Sequence, residues 1–126
     1  TDSNGFGADV FLYQRSTGAV SPVSRSAASA TTTAAGSSFA TAISADGEWV
    51  MFGSVATNLV SNLTDSNDAI DVFLYQRSTG DLRLVSRSAA SAATAANNGS
   101  SPIAITPDGE WVLFGSVATN LVSNLT

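Results

Sequence analysis

The ten residues "DVFLYQRSTG" occur twice, at Asp9–Gly18 and at Asp71–Gly80, without a change. The same offset of 62 carries "VSRSAASA" from Val23–Ala30 onto Val85–Ala92 and "DGEWV" from Asp46–Val50 onto Asp108–Val112. It also carries "FGSVATNLVSNLT" from Phe52–Thr64 onto Phe114–Thr126. Self-similarity at a fixed period constrains a fold more than any local motif: each copy is one supersecondary unit, and neighbouring units bury a shared core. Differences collect at Ala19–Pro22 and between Thr31 and Ala45. The chain therefore reads as a single repeat domain over residues 1–126.

Each unit holds four strand-like segments. "FATAIS" (Phe39–Ser44) and "SPIAIT" (Ser101–Thr106) come first, then "EWVMFGSV" (Glu48–Val55) and "EWVLFGSV" (Glu110–Val117). "DVFLYQRS" is third, and the segment before "SRS" is fourth, clearest as "LRLVSRS" (Leu82–Ser88). "ADG" and "PDG" connect the first pair, because Asp tolerates turn geometry and Gly supplies a positive φ. "STG" does the same for the second pair. The connections "ATNLVSNLTDSNDAI" and "SAASAATAANNGSS" are long, and the latter is nearly featureless. In "VFLY", Phe73 and Tyr75 oppose Val72 and Leu74; in "WVLF", Trp111 and Leu113 oppose Val112 and Phe114. Strands apolar on both sides belong to a sheet packed front and back. Charged residues are only 12% and apolar ones 44%, which suits an all-β protein with a core.

A small antiparallel sheet of four strands that stacks on copies of itself is a propeller blade. "ISADGEWVMF" and "ITPDGEWVLF", followed by "DVFLYQRSTG", resemble the TolB-type, WD-like β-propeller repeat across both units. The 62-residue spacing exceeds the roughly 40–45 residues of a WD-type blade, the surplus lying in the long loops. Ala45 also stands where the second copy has Pro107. The expected fold is all-β, with two four-stranded antiparallel β-propeller blades per chain. A two-sheet β-sandwich of eight strands, monomeric and with paired termini, is the alternative.

In this reading the chain opens on the third and fourth segments (half blade, residues 9–25). It continues with a full blade (39–88) and closes on the first and second segments (half blade, 101–118). Unpaired sheet edges invite association. Two blades cannot close a ring, since propellers use about 4–8. The expected partner is a second copy joined head to tail, three or four chains making a ring or, if the rotation does not close, an open filament. The chain does not begin with Met, and it reads as a processed or excised piece.

Net charge is −5, there is no lysine, and the five arginines are scattered, which argues against nucleic acid. No apolar run approaches the roughly 20 residues of a membrane helix. Without Cys there are no disulfides or thiolate metal sites, and the redox compartment stays open. The compartment favoured is extracellular or periplasmic. "NLT" at Asn62–Thr64 and Asn124–Thr126 and "NGS" at Asn98–Ser100 match a glycosylation pattern that matters only in a secretory setting.

"DSNDAID" places Asp65, Asn67 and Asp71 at alternate positions, with Asp68 close by; Asp2, Asn4 and Asp9 match them in "DSNGFGAD". Calcium takes 6–8 oxygen ligands from such groups. The pattern resembles the D-x-[DN]-x-x-x-D loops of calcium-binding β repeats and lacks the twelfth-position Glu of an EF-hand. An Asx-rich turn leading into a strand explains the same residues. Asp46–Gly47 and Asp108–Gly109 are best read as turns. Trp49 and Trp111 are read as packing residues rather than sugar platforms, and Arg15 and Arg77 as an edge that is solvated or salt-bridged. With no His, Cys or Lys, the usual bases and nucleophile partners are missing, and no enzyme is expected. The expected function is a non-enzymatic structural or binding scaffold. The alternative is a calcium-stabilised extracellular module for glycan or protein.

Overall fold

The computed structural model describes residues 1–125, and its two Asp-Gly turns close matching hairpins. Asp46 Oδ1 accepts from the Ser44 hydroxyl at 2.7 Å and the Glu48 N–H at 2.9 Å. Ser44 Oγ accepts in turn from the Trp49 N–H at 2.9 Å. Asp108 repeats this with the Thr106 hydroxyl at 2.6 Å and the Glu110 N–H at 3.0 Å. Gly47 and Gly109 take φ of +70° and +74°, which a side chain would oppose.

The first turn joins β3 (Ser38–Ile43) to β4 (Trp49–Ser54), and the second joins β7 (Ser100–Ile105) to β8 (Val112–Ser116). The two Ser-Thr-Gly turns join β1 (Phe11–Gln14) to β2 (Ala19–Pro22) and β5 (Asp71–Gln76) to β6 (Leu82–Leu84). All pairings are antiparallel, and no helix occurs among the described residues. Three sheets result: β1-β2, then β3-β4-β5-β6, then β7-β8. The eight strands do not form the two sheets of a sandwich, and the terminal hairpins do not pair with each other. Both β3 and β7 carry a bulge, skipping Thr41 and Ile103. Pro102, which cannot donate to a ladder, sits at that bulge on an edge strand.

The central sheet is covered on both faces. Val50, Phe52, Phe73 and Tyr75 share one face, and they form a core with Val10, Val23 and Leu12 from the β1-β2 segment. Phe52 and Phe73 stack at 5.7 Å between ring centroids. Met51, Gly53 and Val72 face the other way, where β7 lies over β3, β4 and β5. Gly53 gives it room, since a Cβ there would stand 3.0 Å from Ile70 and 3.3 Å from Pro102. Burying a large apolar side chain stabilises by about 1.5–3 kcal/mol. Met51, Phe52, Val72 and Phe73, all fully buried, thus anchor the stack.

β6 and β1 are shortened most relative to their sequence segments. "LRLVSRS" contributes only Leu82–Leu84 to the ladder, because Ser86 Oγ takes the Val72 N–H at 2.9 Å. β1 starts at Phe11, while its twin β5 starts at Asp71, because β5 also pairs with β4 and β1 has no such second neighbour. The connection "SAASAATAANNGSS", nearly featureless as a sequence, is pinned in the fold, as is its counterpart in the first unit. Ala27 and Ala89 donate to the Asn58 and Asn120 carbonyls, both at 2.8 Å, and Ala34, Ala95, Ala96 and Leu59 are buried. Small side chains let these loops lie against the sheet ends.

Candidate functional site

The acidic loops hold their carboxylates with protein donors. Asp71 is fully buried. It accepts from the Ser86 hydroxyl at 2.7 Å and from Asn67 Nδ2 at 3.2 Å. Asn67 Nδ2 also donates to the Ala96 carbonyl at 2.8 Å, and its Oδ1 accepts from the Ala69 N–H at 2.8 Å. Burial pushes the Asp71 carboxyl up from its ordinary value, against the pull of Ser86 and Asn67; Asp65 nearby adds to the rise. Asp65 closes an Asx turn onto the Asn67 N–H at 3.3 Å, and Asp68 is exposed at a φ of +52°.

The first loop repeats the scheme with one residue more. Asn4 Nδ2 donates to Asp9 and to the Gly36 carbonyl, both at 3.2 Å, and Ser24 donates to Asp9 at 3.3 Å. Asp2 accepts from the Asn4 and Gly5 N–H groups at 3.1 and 3.0 Å. Asn4 Oδ1 is buried without a partner, where the shorter loop supplies Ala69. In both loops the Asn amide turns its N–H toward the Asp, and a cation would need the oxygen there instead. Among the described residues no three His, Cys, Asp or Glu side chains lie close enough to hold a metal ion. Sequence reasoning missed Ser24 and Ser86. Their signal was their place in the repeated "VSRS" string, since each bridges an Asp carboxylate to the N–H of the valine that follows it.

A second polar cluster ties β4 to the β5-β6 turn. Glu48 Oε1 accepts from Gln76 Nε2 at 3.1 Å, the Ser78 N–H at 3.3 Å, and the Ser78 hydroxyl. Its Oε2 lies 3.4 Å from Arg77, whose Nε donates to the Gly47 carbonyl at 2.9 Å. The Ser78 hydroxyl, with Gln76 and Arg77 behind it, holds the Glu48 carboxyl below its usual range. The Asp46 and Asp108 carboxyls are held down as well, chiefly by the Ser44 and Thr106 hydroxyls. Arg83 lies 5.8 Å over the Trp49 ring, and Arg25 lies 6.0 Å over Tyr75 and donates to the Gly80 carbonyl. A groove of about 430 Å³ opens between the β1-β2 hairpin and the Asp46–Gly47 turn, lined by Tyr13, Ile43 and Arg77.

The most informative surface appears when residues 62 apart are compared. Phe73 is 0% exposed and Phe11 is 53%; Tyr75 is 7% and Tyr13 is 65%; Met51 is 0% and Leu113 is 60%. Trp49 is half-buried while Trp111 is exposed, and Arg25 is half-buried while Arg87 is exposed. The outer edges of β1 and β8 carry unpaired backbone groups, where β4 and β5 satisfy each other. Of the glycosylation patterns, Asn98–Ser100 leads into β7, and Thr126 of Asn124–Thr126 lies outside the described residues.

These features define the chain as an all-β protein of stacked antiparallel sheets in which β1 and β8 lack the neighbour that their repeat counterparts β5 and β4 have. No protein-family model matches it, and neither does a curated protein or a solved structure.

Proposed function

We propose that the chain is a non-enzymatic β-propeller repeat of the TolB type, acting as a structural or binding scaffold that assembles head to tail. One observation carries the reading: side chains buried in the central sheet have identical or near-identical counterparts exposed on the two terminal hairpins. Exposed apolar strands with free edges are a ready template for pairing with another chain. Three or four chains would supply six or eight blades. The test is mass in solution by light scattering. Species of three or four times 12.8 kDa support a ring, a broad series of multiples supports a filament, and a stable single chain at high micromolar concentration refutes assembly.

A second reading, a calcium-stabilised extracellular module for glycan or protein, is favoured by Asp71. It is a buried carboxylate with no cationic side chain paired to it among the described residues. Calcium titration separates the two readings, because only the second expects the melting temperature to rise with the ion.

A further inference from the structure

We infer that β8 of one chain pairs antiparallel with β1 of a second copy in one fixed register: Trp111 opposite Gln14, Val112 opposite Tyr13, Leu113 opposite Leu12 and Phe114 opposite Phe11. This rests on the head-to-tail reading above and adds to it a register, a polar clasp and the faces that are covered. The template lies within the chain. β4 pairs with β5 as Trp49–Gln76, Val50–Tyr75, Met51–Leu74 and Phe52–Phe73. β8 carries the β4 residues with Leu113 in place of Met51, and β1 with Asp9 and Val10 carries those of β5 unchanged. A one-residue slip would turn every side chain to the wrong face, so a sheet covered on both sides enforces its register.

The pairing cannot form within one chain. The β1-β2 hairpin lies on the Phe52–Phe73 face of the central sheet and β7 lies on the Gly53 face, so the whole sheet stands between them. Between copies, the exposed faces are complementary. Val10 and Leu12 already face their own central sheet, leaving Phe11 and Tyr13 bare. In the joined sheet, Phe11 and Tyr13 of the second copy come onto the side of Val112 and Phe114, against the first copy's central sheet. Leu113 and Trp111 then come onto the side of Leu12, against the second copy's central sheet. Each hairpin covers what the other leaves exposed.

Polar groups repeat the match. The central sheet's clasp joins Glu48 to Gln76, Arg77 and Ser78. Its counterpart joins Glu110 to Gln14, Arg15 and Ser16 of the second copy. Glu110 and Arg15 are exposed, and among the described residues neither side chain has a hydrogen-bond or ion-pair partner. Arg25 reaches Tyr75 and the Gly80 carbonyl, and Arg87 has the same environment waiting at Tyr13 and Gly18 of the second copy.

Cross-linking tests the register, because the chain has no native cysteine. Val112→Cys with Tyr13→Cys places two Cα atoms about 4.5–5.5 Å apart in this register, within disulfide reach. Val112→Cys with Phe11→Cys sets them two residues further along, about 8 Å apart and out of reach. The expected result is oxidised multimers from the first pair only. Multimers from the second pair alone overturn the register while leaving head-to-tail assembly standing. Charge reversal is the second measurement and uses exposed positions. Glu110→Arg or Arg15→Glu alone should weaken association about tenfold or more, and the two together should restore it. A double variant as weak as the singles overturns the clasp. A wild-type chain that never associates overturns both the register and the assembly beneath it.

Discussion

Replacing Phe73 by alanine removes a fully buried ring that stacks on Phe52 at 5.7 Å with an interplanar angle of 22°. Truncating a buried Phe costs about 3–5 kcal/mol, and an aromatic pair is worth about 0.5–1.5 kcal/mol beyond its burial. About 4 kcal/mol is the expected loss, a large share of the roughly 5–15 kcal/mol that holds a domain folded. Phe11 occupies the same place in the same ten-residue string but is 53% exposed. Half of a Phe transfer term, with no ring stacked on Phe11 among the described residues, comes to about 1 kcal/mol. Urea unfolding followed by tryptophan fluorescence, in dilute samples where light scattering reports one chain, measures both variants. The expected difference is about 3 kcal/mol, or on the order of 10 °C in Tm. As protein concentration rises and assembly buries Phe11, the Phe11→Ala cost should climb toward that of Phe73→Ala. Equal costs in the dilute single chain would refute the reasoning, since identical residues would then share an environment that the fold makes different.

Gly53→Val should destabilise by about 1–3 kcal/mol by driving side-chain atoms into Ile70 and Pro102, whereas Gly115→Val, whose nearest neighbour is Ile103 at 3.7 Å, should stay within about 0.5 kcal/mol in the dilute chain. Equal urea midpoints for the two would contradict the packing of β7 on the central sheet. The Asp71 carboxyl is raised above 3.8, so the native state holds its proton more tightly than the unfolded chain. Its contribution to stability is therefore full below 3.8 and is lost as pH rises through the native value. Asp46, Glu48 and Asp108 act oppositely, being held down and losing their contribution as pH falls through their native values. Stability relative to Asp71→Asn isolates the first effect and should rise on acidification toward pH 3.8; a gap that stays constant with pH would rule it out. Ser86→Ala should cost about 1–3 kcal/mol by stranding the Val72 N–H and the Asp71 oxygen, read as a lower urea midpoint. Calcium at millimolar concentration should leave Tm in place, because Asn67 already turns its N–H onto Asp71; a clear upward shift would favour the calcium-stabilised reading.

Hairpins were legible because their signals are local. Asp46–Gly47 and Asp108–Gly109 carry their own hydrogen-bond acceptor and positive φ, so two turns and the strands beside them follow from a few residues. The two-sided apolar character of "VFLY" likewise announced that β5 is covered front and back, whereas "WVLF", read the same way, leaves Trp111 and Leu113 exposed because β8 has no layer on that face within the chain. Serine escaped notice because its role is relational: Ser86 means nothing in "VSRS" until Val72 and Asp71 stand beside it. The alanine loops escaped for the same reason, since Ala95 and Ala96 become core only once a sheet end lies over them.

Sequence alone determined that one unit is written twice, with the same turns and the same strand pattern, because turn chemistry and side-chain alternation act over a few bonds. It could not say that Phe73 is core and Phe11 is surface, since the two sit in identical strings. Tertiary structure decided that, by giving β5 a neighbour on each edge and a layer on each face while leaving β1 with one edge unpaired and one face bare. Burial is a property of what surrounds a residue, and here the surroundings differ where the letters do not.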